Sequence, residues 1–191
     1  MEIYNIGNNT INIYLLNSGT HLLLIDTGYP NQLNDIGRKI RNTGFKIRDI
    51  DFLIVTHFHI DHAGAVEELK NEGVKFALLD IQQDFIKPIE DMMAGKFKYT
   101  PLLLNNNKLL TINNSIAFLK QLNINGKIIA TPAHTNDSIS LLLDTGEAFT
   151  GDLIASHLVT DNDSIAKKSW QKLISLGATK IYPSHGKIYE L

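Results

Sequence analysis

The 191-residue chain has no cysteine, one tryptophan, three methionines and five prolines, and its charges nearly cancel. Each scarcity excludes something. Without cysteine there are no disulfides and no thiolate ligands, so any bound metal must be held by imidazole and carboxylate groups. Eighteen Lys and Arg stand against 20 Asp and Glu, a formal net charge of -2, which gives no overall basic field to attract nucleic acid or an anionic membrane surface. No apolar run approaches the roughly 20 residues that span a bilayer, and Met1-Glu2-Ile3-Tyr4-Asn5 lacks the basic-then-apolar order of a secretory leader. The expected location is therefore cytoplasmic. No Gly-x-Ser-x-Gly segment occurs, so the elbow that presents a nucleophilic serine is missing. What remains is 43% hydrophobic residues, enough for a substantial core, and a length that suits one domain over residues 1–191, with no linker or repeat.

Short apolar stretches at Ile3-Tyr4, residues 11–16 and residues 22–25 are separated by Asn- and Gly-rich turns and predict a meander of strands. Pro30 suits the first turn of a helix in which Leu33, Ile36 and Ile40 recur at helical spacing as far as Gly44. Residues 51–55 predict a buried strand. Residues 63–73 predict the helix after it, with Ala65, Val66 and Leu69 inward and Glu67, Glu68 and Lys70 outward, and residues 75–79 a further strand. This alternation favours layers of helix and sheet. Residues 80–110 are the least regular part, with a helix at 81–93 that Pro88 should kink or split, and the segment reads as an excursion over the surface rather than core. Further strands are predicted at 108–112, 115–122, 127–131, 138–143, 147–151 and 180–182. A last helix at 164–176 would bury Ala166, Trp170, Leu173 and Ile174.

The chemistry concentrates in Thr56-His57-Phe58-His59-Ile60-Asp61-His62, directly after Phe52, Leu53, Ile54 and Val55. Three histidines within six residues have no common structural role, and neutral imidazole is a frequent metal ligand. His57 and His59, two apart, can converge on one ion in an extended turn. Asp61 and His62 lie a turn further on, a spacing more comfortable for two adjacent ions than for one. Asp61 alone would read as a helix N-cap. Candidates for further ligands follow later apolar runs: His134 in Thr131-Pro132-Ala133-His134-Thr135, Asp152 after Thr150-Gly151, and His185 between Ser184 and Gly186. Each is a weak signal by itself, and the ordered set is a strong one.

In that order, from Asp26 to His185, these motifs resemble the metallo-β-lactamase superfamily of metallohydrolases. The resemblance implies an α+β fold, a four-layer αββα sandwich with the site at one edge where strand ends meet. It implies that one metal takes His57, His59 and His134, that the other takes Asp61, His62 and His185, and that Asp152 bridges them. Asp26 matches the acidic residue of the family's first motif and would hold a ligand histidine from behind. The metals would be two zinc ions per chain, iron or manganese also suiting these donors, and the catalytic role would fall to Asp61, which orients the attacking hydroxide.

Departures from the family pattern narrow the reaction. The lactamase subclass with a cysteine ligand is excluded, and the other subclasses generally lack an acid where Asp152 stands. Glyoxalase II resembles this chain in its ligands but carries a helical extension after the last histidine motif, where this sequence has only Lys187 to Leu191. The tRNA-processing members need a basic arm or extra domain, and flavodiiron members show glutamate at the position of His59. Ala133 replaces the glycine usual before the third-motif histidine. The expected activity is hydrolysis of a small-molecule ester, thioester, lactone or phosphodiester; the alternatives are an iron-dependent redox enzyme on the same fold or a β-lactamase-type amide hydrolase. Substrate walls are expected from residues 81–104, through Phe85, Ile86, Met92, Met93, Phe97 and Tyr99. Lys96, Lys98 and Lys108 are candidate contacts for an anion, a solvated surface being the plainer reading. His157 is a candidate pocket contact, and His21 reads as structural.

Overall fold

The computed structural model describes residues 1–93 and 98–191, so the expectations for Lys96 and Phe97 lie outside the described residues. Strands β1 (Glu2–Asn5), β2 (Tyr14–Asn17) and β3 (Leu22–Ile25) form the predicted antiparallel meander. Beyond β3 the sheet continues in parallel through β4 (Phe52–Ile54), β5 (Lys75–Leu79) and β6 (Lys108–Leu110). Parallel neighbours need crossover connections. These are supplied by α1 (Leu33–Asn42), by α2 (Ile60–Ala63) with α3 (Val66–Asn71), and by α4 (Gln83–Met93). After α5 (Ser115–Gln121) comes a second sheet of β7 (Gly126–Ala130), β8 (Ile139–Leu143) and β9 (Glu147–Gly151). Helix α6 (Ser164–Ser175) then leads to β10 (Lys180–Pro183), parallel to β9, and to a short β11 (Tyr189–Glu190) that the sequence reading did not predict. The order is β11-β10-β9-β8-β7.

Why four layers form follows from the two-residue period of the strands. Leu15, Leu24, Leu53, Phe76 and Leu78 point to one face of the first sheet and pack with Ile36 and Ile40 of α1 and Leu69 of α3. The alternate residues Tyr14, Leu16, Leu23, Ile25, Ile54 and Leu79 point the other way, against Ile128, Leu141, Leu143 and Phe149 of the second sheet. The far face of that sheet, with Ile129, Leu142, Ala148 and Ile181, is covered by Trp170 and Leu173 of α6. The result is an αββα sandwich. Between the sheets the Phe149 ring meets Tyr14 edge-on at 5.2 Å and tilts against Tyr182 at 4.9 Å, a geometry aromatic quadrupoles favour.

Several local expectations are corrected. Residues 115–122 form helix α5, not a strand: Phe118, Leu119 and Leu122 are buried while Ile116 is exposed, a helical spacing. Thr111 and Asn114 exchange side-chain-to-backbone hydrogen bonds at 2.9 and 3.2 Å, a reciprocal pair that starts the turn into this helix. Of the helix expected at 63–73 only Val66–Asn71 is helical as α3, set apart from α2, which ends at Ala63, because the His62 carbonyl accepts the Thr27 N–H at 2.8 Å and the Ala65 N–H turns to Thr27 Oγ1 at 3.1 Å. Pro30 precedes α1 and packs against Gly64, where an added Cβ would lie 2.5 Å from its ring. Glu67 is buried and Lys70 half-buried, not outward: they pair at 2.8 Å, and both bond the backbone of Leu103, which returns over them. Pro88 lies inside an unbroken α4 on its solvent side, where water can serve the carbonyl that loses its donor. In α6 Ile174 is exposed and Ser169 is buried in its stead. Part of the supposed surface excursion, Ile86, Met93 and Leu102, is buried apolar core. Among the described residues no helix is long and apolar enough to cross a membrane.

Phe149→Ala should destabilise the protein by roughly 3–5 kcal/mol, since it empties the layer between the sheets. Leu109→Ala, at a side chain 55% exposed, should stay within about 0.5 kcal/mol of the parent. Urea denaturation of the two variants checks both.

Candidate metal centre

The site lies where the carboxyl ends of four strands converge. Past β4, Val55 and Thr56 are buried, and residues 57–59 lead into α2. Across the sandwich, His134 follows β7, Asp152 follows β9 and His185 follows β10. Hydrogen bonds between segments set the approach: the Ile139 N–H donates to the Thr56 carbonyl at 2.9 Å, the Phe58 N–H to Asp137 Oδ2 at 2.8 Å, and the Ser184 N–H to the Gly151 carbonyl at 3.0 Å. Gly151 has a φ of 57°, and a Cβ there would come within 2.7 Å of Thr56. Only glycine permits that contact.

All seven candidate donors are brought together in two groups. His57, His59, His134 and Asp152 form one, and Asp61, His62 and His185 the other; within each, the donor atoms lie within 4.8 Å of one another. Asp152 stands between them. Its Oδ2 is 3.9 Å from His57 Nε2 and 3.5 Å from His134 Nε2, and its Oδ1 is 3.3 Å from both His62 Nε2 and His185 Nε2. Asp61 Oδ2 is 3.5 Å from His62 Nε2 and 3.2 Å from His185 Nε2. Asp61 does not cap α2; His59 occupies that position. His57 Nε2, His62 Nε2 and Asp152 Oδ1 are buried and have no hydrogen-bond partner, an arrangement that is costly unless something else satisfies them. A cation among these atoms would do so, and the all-imidazole and carboxylate donor set fits zinc.

Behind the donors two of the rings are held by their other nitrogens. His62 Nδ1 lies 2.9 Å from Asp26 Oδ2, and His185 Nδ1 lies 2.6 Å from the Thr10 carbonyl. Each Nδ1–H donates, which leaves the Nε2 lone pair aimed at the cluster. Asp26 itself is 1% exposed, has a φ of 64°, and also accepts the Thr56 N–H at 2.7 Å and the Ser184 hydroxyl at 2.9 Å. Burial and the neighbouring imidazoles push His57 well below the usual histidine range and also lower His59, which favours the neutral form of each. Burial pushes Asp61 up, but the His62 ring 3.5 Å away outweighs it and holds the carboxyl at about 2. Asp152 is lowered in the same way. For His62, burial opposes the charged form, yet Asp26, Asp152 and Asp61 raise it well above the ordinary value. The carboxylates around Nε2 thus call for positive charge, a proton or a metal.

Comparison with known proteins decides the family. The sequence model of the metallo-beta-lactamase superfamily matches residues 6–185. The chain belongs to this superfamily. A beta-lactamase-like protein 2 homolog from Caenorhabditis elegans is 29% identical over 94% of the chain, and an atrochrysone carboxyl ACP thioesterase from Aspergillus fumigatus is 27% identical over 94%. The chain spans only 57% and 51% of these two relatives. The native FEZ-1 metallo-beta-lactamase from Legionella gormanii superposes with a TM-score of 0.72 at 20% identity, over 96% of this chain and 76% of that one, and shows the shared fold.

Among the described residues, the side chains expected as the substrate wall do not line the groove beside the donor cluster. Ile86 and Met93 are core, Phe85 packs on that core, Met92 is exposed, and the Tyr99 hydroxyl bonds Glu90. The groove beside Asp152, about 620 Å³, is lined instead by residues of 151–158 and 183–189, His157 among them. The apolar run Leu153-Ile154-Ala155 directly after Asp152 is the signal in the sequence that points there. Lys98 is exposed, Lys108 lies 5.9 Å over the Phe118 ring, and His21 bonds Thr20 Oγ1 at 3.1 Å. Sequence reasoning did not single out Thr56, Ser184 or Thr10, the first two of which adjoin candidate ligands.

Gly151→Ala should displace Thr56 and destabilise the protein by about 1–3 kcal/mol, the range for a residue forced into strained backbone. A urea titration of that variant against the parent reads it directly.

Proposed function

We propose that this chain is a dinuclear metal-dependent hydrolase, with zinc as its metal, acting on a small ester, thioester, lactone or phosphodiester. The observation that carries the reading is Asp152, whose two oxygens each turn toward a different group of histidines while its Oδ1 and two buried Nε2 atoms have no protein partner. His57, His59 and His134 would hold one ion, Asp61, His62 and His185 the other, and Asp152 would bridge. When bound, two adjacent divalent ions supply a hydroxide near neutral pH and polarise a carbonyl or phosphoryl oxygen. Asp61, ionised at neutral pH, accepts a hydrogen bond from the attacking water and fixes its direction. Asp26 keeps the His62 ring and its tautomer in place. His134 and His185, with side chains 35% and 44% exposed, mark the open side from which a substrate approaches Asp152. One relative is named a thioesterase, which supports including thioesters among the substrates.

Elemental analysis of the purified protein should find about two zinc ions per chain, and hydrolysis in a panel of esters, thioesters, lactones and phosphodiesters should vanish on chelation. Iron accompanied by oxygen consumption would overturn the reading. His59→Ala should lose metal and turnover together; undiminished turnover in that variant would remove the two-metal arrangement. Asp26→Asn should weaken metal retention about 10- to 100-fold in competition with a chelator, because His62 loses its anionic support.

A further inference from the structure

After Asp152 the chain makes an apolar turn in which Leu153 is buried but Ile154 is 40% and Leu158 58% exposed. Single exposed apolar residues are ordinary, but these stand on a turn held at several points. The Leu153 N–H donates to the Thr150 carbonyl at 3.2 Å, Trp170 Nε1 donates to the Ile154 carbonyl at 2.9 Å, and the Ser156 N–H donates to the Tyr189 hydroxyl oxygen at 3.3 Å. The His157 ring meets Tyr189 edge-on at 5.7 Å. A groove with walls fixed in this way needs little ordering when a ligand enters. Ile154 and Leu158 share that groove with His134, Asp152 and His185, so it opens directly onto the donor cluster. Among the described residues lining it, Lys187 is the one lysine or arginine, too little positive charge for a substrate with several phosphates. Ile154 also borders a second cleft, about 390 Å³, which reaches His134 and Asp152 from the side of Asn162 and Ser164. Two recesses of different polarity therefore meet at the candidate centre.

We propose that the groove bordered by Ile154, Leu158 and Tyr189 binds the apolar acyl chain of an ester or thioester, with the polar leaving group in the cleft beside Asn162 and Ser164. This rests on the hydrolase reading above. Water adds across the acyl bond: its hydroxyl joins the acyl carbon, the C–O or C–S bond breaks, and the proton passes to the departing oxygen or sulfur. The products are a carboxylic acid and an alcohol or thiol. Burying one methylene of the chain is worth about fourfold in binding, less where the wall is partly open.

The test uses the zinc-loaded protein and p-nitrophenyl acetate, butyrate, hexanoate and octanoate. kcat/KM should rise about tenfold or more from acetate to octanoate. Leu158→Lys should cut the octanoate-to-acetate ratio about fivefold or more with metal content and melting temperature maintained, while Ile116→Ser, at a comparably exposed apolar residue on α5, should keep the parent ratio. A flat chain-length profile, a ratio unmoved by Leu158→Lys, or faster turnover of bis(p-nitrophenyl) phosphate than of any ester overturns the acyl proposal and leaves the hydrolase reading standing. Absence of turnover on every substrate by protein carrying two metals overturns both.

Discussion

Asp26 leaves β3 in the left-handed region, a conformation that costs a non-glycine residue energy, and its carboxylate is buried where two sheets come together. Both costs are offset by hydrogen bonds that arrive from separate segments: the Thr56 backbone beyond β4, the His62 ring in α2 and the Ser184 hydroxyl beyond β10. Removing any partner would strand a buried polar group, so the three strand ends are coupled in position. The site is built on that coupling. Thr56 and Ser184 each precede a candidate ligand, His57 and His185, and His62 is one itself.

The same economy appears in the layers. Strand side chains alternate between two apolar interfaces, and the middle interface, with Tyr14, Phe149 and Tyr182 in contact, fixes how far the first sheet stands from the second. Donors from the first sheet (His57, His59, Asp61 and His62) and from the second (His134, Asp152 and His185) can meet only if that spacing is right. Core packing and site geometry are therefore one problem. The Tyr14 hydroxyl, donating to the Pro183 carbonyl at 2.8 Å, ties this aromatic layer to the segment that carries His185.

Sequence reasoning fared best where the signal was local. The parallel strands after β3 and the meander before it follow from apolar runs and turn residues close in sequence. It failed where a distant segment changed the outcome. Glu67 and Lys70 look like surface residues until the Leu103 backbone covers them, and the helix after His62 breaks because Thr27 takes its hydrogen bonds. Residues 115–122 are different: helical spacing was present, and β-prone residues masked it. Among the described residues the groove wall forms beside Asp152 and not in the irregular segment 81–104, from turns that have no period to detect.

By itself, the sequence determined the donor types and their order along the chain, since the absence of cysteine leaves imidazole and carboxylate and the crowding of His57, His59, Asp61 and His62 is a property of adjacent residues. It also determined the family, through motifs spread from Asp26 to His185. Only the tertiary structure decided which oxygen of Asp152 faces which histidines, what holds the His62 and His185 rings from behind, and where an apolar wall stands beside them. Those relations join segments far apart in the chain, and they exist only once the two sheets have packed.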